Sequence, residues 1–398
     1  MLSLFCQRFL RREFDMAVQN IFFAGGGTGG HIYPALAIAR QIKDLRPEAN
    51  VTFFCSDRPI DAQILAKTEF KYIPLPAVGF SANPIQSCKF LMATYKSYHL
   101  AKKELMSNMP AAVVGVGGFV STGPILAAHK LGISVKMVNT DSVPGKANKF
   151  LSRYADEIYV QFEMSRSYFG KSAGRVVVTG CPLRPDFANP DKHKAVKDLR
   201  LDSTKKILLI TGASTGARSI NNAIVALLDK LSSFNNWQIV HLTGHADFES
   251  VKNAYKNCTL LHKAVDYYDD MANLLAAADI IIGRAGAVSV AEYAAASVPC
   301  ILMPYPYHKD NHQRKNAEQL EKAGFAVIVD DQIDAKKNAE MLWPLLEKLM
   351  RTEDRKAKMA TDQSPLQTMR EKARQFGKLN AAMEIAKRIL AGDFELSN

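Results

Sequence analysis

Short apolar runs recur along this chain, spaced so that a helix fits between each pair. They read NIFFAG, NVTFFCS, AAVVGVGG, SVKMVNT, EIYVQF and RVVVTG, then KILLITG, QIVHLTG, ADIIIGR, CILMPY and AVIVDD. Strands that are continuously apolar rather than alternating are buried on both faces, as in parallel sheets covered by helices. The alternation resets across CPLRPDFANPDKHKAVKDLRLDSTKK, a polar, proline-bearing stretch. The pattern predicts an α/β chain of two doubly wound parallel-sheet domains, 17–180 and 206–365, with a linker at 181–205 and a cleft between them. Residues 1–16 read as an N-terminal extension, and 366–398 as a helical tail able to pack on either domain.

A length of 398 residues suits two cores rather than one. The excess of 51 basic over 39 acidic residues, +12, points to an anionic partner: nucleic acid, an anionic bilayer or a phosphorylated substrate. Cys6, Cys55, Cys88, Cys181, Cys258 and Cys300 are scattered without a C-x-x-C pair. That is neither a zinc pattern nor a disulfide framework and suits a reducing cytosol. No uncharged apolar stretch reaches the roughly 18 residues of a membrane span. The apolar, basic start MLSLFCQRFLRREFD has too short a hydrophobic part for a secretory signal, and no small-residue cleavage site follows it.

Chemistry concentrates around glycines. Gly25, Gly27 and Gly30 form G-x-G-x-x-G after a predicted strand, and Pro34 reads as part of the first helical turn. Such a loop lets backbone approach an anion at a helix N-terminus. A dinucleotide oxidoreductase, with Asp57 as its ribose acid, and a purely structural turn both stay open on this loop alone. His31 shifts the balance, because a transferase needs a base facing a hydroxyl. The second half repeats the strand–loop–helix design at Gly212–Arg218. It then supplies RAGAVSVAEYAAASVPCILMPYPYHKDNHQRKNA, where helix-opening amides near Ala287 and Val288 suit a diphosphate. Glu292, one helical turn on, is placed to accept from ribose hydroxyls.

GGGTGGH, GVGGFVS, PGKAN, GASTGAR, DYYDDM, RAGAVSVAE and NHQRKNAEQLEKAG occur in this order over residues 18–375. Together they resemble the MurG family of peptidoglycan-synthesis enzymes, which transfer N-acetylglucosamine from UDP-GlcNAc to undecaprenyl-diphospho-muramoyl-pentapeptide. The resemblance implies a GT-B fold of two Rossmann-like domains, with the acceptor on the first and the nucleotide sugar mostly on the second. Its first glycine loop, facing the donor sugar and the acceptor diphosphate, falls on Thr28, Gly29, Gly30 and His31, and its donor-site residues on Arg184, Ser214 and Tyr268. They continue over Ala287, Val288, Ser289, Val290, Ala291 and Glu292, and end at Gln313, with Asn316 following on the same helix. Three positions depart from the family pattern. Asp141, in VNTD, replaces a donor-binding asparagine, Thr215 stands where glutamine is usual, and Cys181 stands for asparagine.

The implied reaction is a single inverting displacement by a muramoyl 4-hydroxyl on the anomeric carbon. It needs a base opposite the departing UDP. His31 is the expected base, with positioning of the acceptor diphosphate as its rival role and Asp141 as a second catalytic candidate. Helix-start amides, Ser214 and Arg184 would stabilise the departing UDP. No D-x-D occurs, Asp269–Asp270 and Asp330–Asp331 lack its spacing, and neither metal nor cofactor is expected.

A lipid-linked acceptor requires contact with the membrane. On a helical wheel of residues 80–106, Lys89, Lys96 and Lys103 fall on one side and Leu91, Tyr98 and Leu105 on the other, bordered by Phe90, Met92 and Tyr95. The expectation is a peripheral enzyme on the cytoplasmic face of the inner membrane. Anionic lipids and other cell-wall synthesis proteins are its partners, and nucleic acid is not. The alternatives are a related lipid glycosyltransferase with another donor sugar, or a non-catalytic paralogue that binds nucleotide sugar.

Overall fold

In NIFFAG no polar residue is available to turn outward after the first, so both faces of the strand must be covered, and residues 21–25 are buried. The computed structural model describes residues 19–27, 29–81, 83–307, 310–356 and 364–391; the expected 1–16 extension lies outside them. This strand, β1 (Asn20–Gly25), joins β2 (Asn50–Ser56), β3 (Lys71–Leu75), β4 (Ala112–Gly117), β5 (Ser134–Asn139), β6 (Glu157–Val160) and β7 (Val176–Val178). The sheet runs β3-β2-β1-β4-β5-β6-β7. A second sheet holds β8 (Lys206–Thr211), β9 (Trp237–Leu242), β10 (His262–Val265), β11 (Ile280–Gly283), β12 (Cys300–Leu302) and β13 (Ala326–Ile328), ordered β10-β9-β8-β11-β12-β13. All pairings are parallel.

Each sheet reverses its winding once, between β1 and β4 and between β8 and β11. Chain connections leave a doubly wound sheet in opposite directions there, opening a crevice at the carboxyl ends of the strands. Both glycine loops follow a strand at such a point. So do Gly118, after β4, and the turn before Ala287, after β11.

The last helices part company. Pro365–Phe376 packs on the second lobe, where the Phe376 ring lies 5.4 Å from that of Phe325. The chain then crosses back, and Ala381–Ala391 buries Ile385, Ala386 and Ile389 against Ile32, Ala35 and Ala39 of the first lobe. The lobes are therefore joined at two places, and the tail belongs to both.

One expectation needs correction. Pro34 is not in the first turn. The helix spans Gly29–Leu45 and starts within the glycine loop itself, leaving Pro34 in its interior. Without an N–H, Pro34 cannot make the intrahelical bond to the Gly30 carbonyl. The basic helix spans Pro84–Asn108, and its buried residues are Ala93, Ser97, Ala101 and Leu105. The small side chains of Ala93, Ser97 and Ala101, four apart, allow close approach of the Thr122–Lys130 helix. A Cβ on Gly123 would stand 2.5 Å from Ser97 Oγ. Along the other side of the wheel Leu105 is buried, Tyr98 half-buried and Leu91 65 % exposed. No residue of the helix before Ala93 is buried, so its first turns overhang. No helix among the described residues is long and apolar enough to cross a membrane.

Candidate active site

The first glycine loop is held from below by Asp61, a fully buried carboxylate that the sequence did not single out. It accepts from Gly27 N (2.8 Å), Ser56 N (2.9 Å) and Ser56 Oγ (2.6 Å). A Cβ on Gly26 would fall 2.1 Å from its Oδ2, so glycine is required there. Asp57, the acid a dinucleotide site would use, is exposed instead. Asp61 already engages the Gly27 N–H with negative charge, so this loop is built around an internal anion.

His31 stands on the first turn of the Gly29–Leu45 helix, with Nδ1 3.1 Å from the Gly26 carbonyl. A carbonyl only accepts, so Nδ1 carries the proton and the lone pair of the neutral ring is on Nε2. The imidazole packs over Gly117, where a Cβ would lie 2.9 Å from the ring and where φ is +104°. Thr28 lies outside the described residues.

In the second lobe, Gly286 precedes the Ala287–Ala295 helix, which has no side-chain cap at its start. The N–H groups of Ala287, Val288 and Ser289 open the helix and have no partner within it, so they are placed to donate to an anion. Val290 and Ala291 continue the helix to Glu292, whose side chain keeps 16 % exposure and lies 3.9 Å from the Arg184 guanidinium. Burial pushes the Glu292 carboxyl up to about 7, against the pull of Arg184. Arg184 also lies over the Tyr33 ring, at 5.5 Å, two residues from His31. Its Nη1 is 3.5 Å from the Asp269 carbonyl, beside Tyr268. One arginine thus ties the helix carrying His31 to the helix carrying Glu292.

A cavity of about 650 Å³ adjoins this seam, lined by Gly212–Ala213, Thr215–Ser219, Gly286, Tyr305 and Gln313 among others. Gln313 Oε1 accepts from Tyr305 N at 3.0 Å, fixing that rim. Arg284 and Asp331, buried and 2.7 Å apart, brace the floor. Although burial opposes it, hydrogen bonds from Ser219, Asn338, Ile333 N and Arg284 hold the Asp331 carboxyl below its usual range. The side chain of Ser214 lies outside what is described. Asp141 sits at the lobe junction, its Oδ1 3.0 Å from Asn316 Nδ2.

The adjacent aspartates have local partners. Asp270 pairs with Lys194 at 2.7 Å and Asp330 with Arg314 at 3.3 Å. Among the described residues, no group of three His, Cys, Asp or Glu side chains is placed to hold a metal ion. Lys89, Leu91, Tyr95, Lys96 and Lys103 are exposed on the overhanging helix, and Phe90 is half-buried. The Phe90 ring meets Phe80 at 5.6 Å and Phe119 at 5.8 Å. Phe119 directly follows Gly118, whose Cβ position is 3.6 Å from the His31 ring, so the patch borders the glycine loop.

Two switch-point crevices facing one another across a seam define a two-domain α/β fold of the GT-B kind. Residues 21–160 match the glycosyltransferase family 28 N-terminal domain, and 207–387 its C-terminal domain. The chain is 35 % identical over 314 residues to the UDP-N-acetylglucosamine–N-acetylmuramyl-(pentapeptide) pyrophosphoryl-undecaprenol N-acetylglucosamine transferase of Desulforamulus reducens, covering 77 % of this chain and 84 % of that one. It is 32 % identical to the transferase of the same name from Listeria welshimeri, over 93 % of this chain and 99 % of that one. The crystal structure of Acinetobacter baumannii MurG superposes with a TM-score of 0.70 at 27 % identity, covering 94 % of this chain and 99 % of that one. The chain belongs to glycosyltransferase family 28 and, within it, to the MurG family.

Proposed function

We propose that this protein transfers N-acetylglucosamine from UDP-GlcNAc to the 4-hydroxyl of undecaprenyl-diphosphate-linked N-acetylmuramoyl-pentapeptide, with inversion, in peptidoglycan synthesis. The observation that carries the reading is the seam at Arg184, where the helix starting in the His31 loop meets the helix bearing Glu292. An acceptor hydroxyl beside His31 and a donor on the Glu292 helix would meet there.

Each group then has a task. His31 Nε2 takes the proton of the attacking hydroxyl, since Nδ1–H is committed to Gly26. The amides of Ala287, Val288 and Ser289, with Ser214 and Arg184, stabilise charge on the departing UDP. Glu292 accepts from the ribose hydroxyls, Tyr268 lies beside the base, and Gln313, held by Tyr305, reads the sugar. Gly29 and Gly30 let the acceptor diphosphate approach the backbone. Asp141, engaged by Asn316, serves the lobe junction better than it would serve as a base.

The exposed patch of Leu91, Tyr95, Lys89, Lys96 and Lys103 rests on the anionic cytoplasmic leaflet, with Phe90 at its inner edge. Its junction with Phe119 supports this, because a lipid tail in the bilayer then leads its diphosphate toward the glycine loop. A transfer assay with a short-chain lipid acceptor tests the reading. Labelled UDP-GlcNAc should give product and labelled UDP-galactose should not. UDP-GlcNAc binding without turnover would leave a non-catalytic paralogue.

A further inference from the structure

Two side-chain amides, one from each lobe, stitch residues 140–142 to the turn at 285–287. Asn316, on the His312–Lys322 helix, is fully buried. Its Oδ1 accepts from Ser142 N at 2.8 Å. Its Nδ2 donates to Asp141 Oδ1 and to the Ala285 carbonyl, each at 3.0 Å. Gln161, buried just beyond β6, satisfies its neighbours in one amide orientation, donating to the Thr140 carbonyl at 2.8 Å and the Ala287 carbonyl at 3.2 Å. Beside them Lys315 donates to Tyr168 Oη at 2.9 Å, again across the lobes.

We propose that Asn316 and Gln161 are positioning residues that form an interlobe latch. They grip the carbonyls on either side of Gly286 and so set the register between the anion-binding turn and the first lobe. Three observations carry this. Both amides are buried where an unpaired polar group is costly, so their bonds fix geometry. Each amide touches backbone on both sides of the seam, which a residue serving only its own lobe would not need. The partner of Asn316 Nδ2 is a carboxylate, Asp141, so the bond is charge-assisted. The catalytic consequence rests on the transferase reading; the latch does not.

The test exchanges the charges. Asn316→Asp sets a second carboxylate against Asp141 and removes the donor. Asp141→Asn in that background returns an amide that donates the other way. Asn316→Asp should lower kcat about 100-fold while UDP affinity, a property of the second lobe, changes less than about threefold. Small-angle X-ray scattering should show a larger radius of gyration than wild type. The double variant should regain at least about tenfold in kcat and the wild-type radius. Gln161→Ala gives the same directions and serves where Asn316→Asp does not fold. An unchanged radius and kcat in the single variants, or a double variant no better than Asn316→Asp, would overturn the latch. Scattering reads lobe geometry without turnover. If wild-type protein transfers no sugar, the transferase reading fails and the scattering arm still decides the latch.

Discussion

Arg184 stands 3.9 Å from Glu292 with its guanidinium over Tyr33, so a residue between the two sheets binds the helices of both lobes together. The guanidinium of this pair works against burial, which pushes the Glu292 carboxyl up.

Glu292 should give the protein a measurable pH signature. Its carboxyl is raised from 4.5 to about 7, burial being the larger cause and Arg184 acting against it. A carboxyl with a raised folded value favours the native state while protonated. That contribution is full below about 4.5 and is lost as pH rises to about 7, amounting to at most about 3 kcal/mol. Glu292→Gln lacks the loss, so its stability relative to wild type should grow between pH 4.5 and 8 in urea unfolding. A flat difference would show that Glu292 is solvated.

The same residue should govern donor affinity. On the proposed donor role, in which the ionised carboxylate accepts from the ribose hydroxyls, the wild-type KM for UDP-GlcNAc should fall as pH rises through about 7. Glu292→Ala should raise that KM by about 10- to 100-fold, an abandoned contact of about 1–3 kcal/mol, and remove the pH dependence. Steady-state kinetics from pH 6 to 8 decide this.

His31→Ala should lower kcat by about 100- to 10,000-fold with little change in donor KM, as for a lost general base. Normal turnover with weakened acceptor binding would assign His31 to positioning instead. Single-turnover measurements at saturating acceptor separate the two.

Removing Asp61 should loosen the loop from beneath. Asp61→Ala leaves the Gly27 and Ser56 donors unpaired, at about 1–3 kcal/mol for each buried group. Asp61→Asn keeps the shape and should cost less. Gly26→Ala, with its Cβ 2.1 Å from Asp61 Oδ2, should match the alanine variant in thermal unfolding and activity.

The overhanging helix predicts a membrane phenotype separable from chemistry. Lys96→Glu or Leu91→Glu should weaken binding to phosphatidylglycerol vesicles about fivefold or more, since each basic group near an anionic surface contributes about 1 kcal/mol. UDP affinity should stay as in wild type. Vesicle flotation at two salt concentrations checks both statements.

The interior strands were legible because their surroundings demand an unbroken apolar run, and those of NIFFAG or KILLITG are long enough to see. The edge strands KYIPL and HKAV were not, because an edge tolerates proline and polar residues that break the pattern. The glycine loop and the Glu292 helix were readable as motifs, since backbone that must approach an anion leaves glycine behind. Asp61 left no such mark, being one carboxylate among many until the loop folds onto it.

The sequence by itself determined the two sheets, their parallel winding and the residue types around the cleft, because local apolar periodicity and glycine placement are set by each segment's own burial. Tertiary structure alone decided which surfaces meet. The return of Ala381–Ala391 to the first lobe, the overhang before Ala93 and the Asn316 amide against Asp141 each depend on partners far along the chain. Complementary contacts between distant segments have no periodicity, and only the folded chain brings them within hydrogen-bonding range.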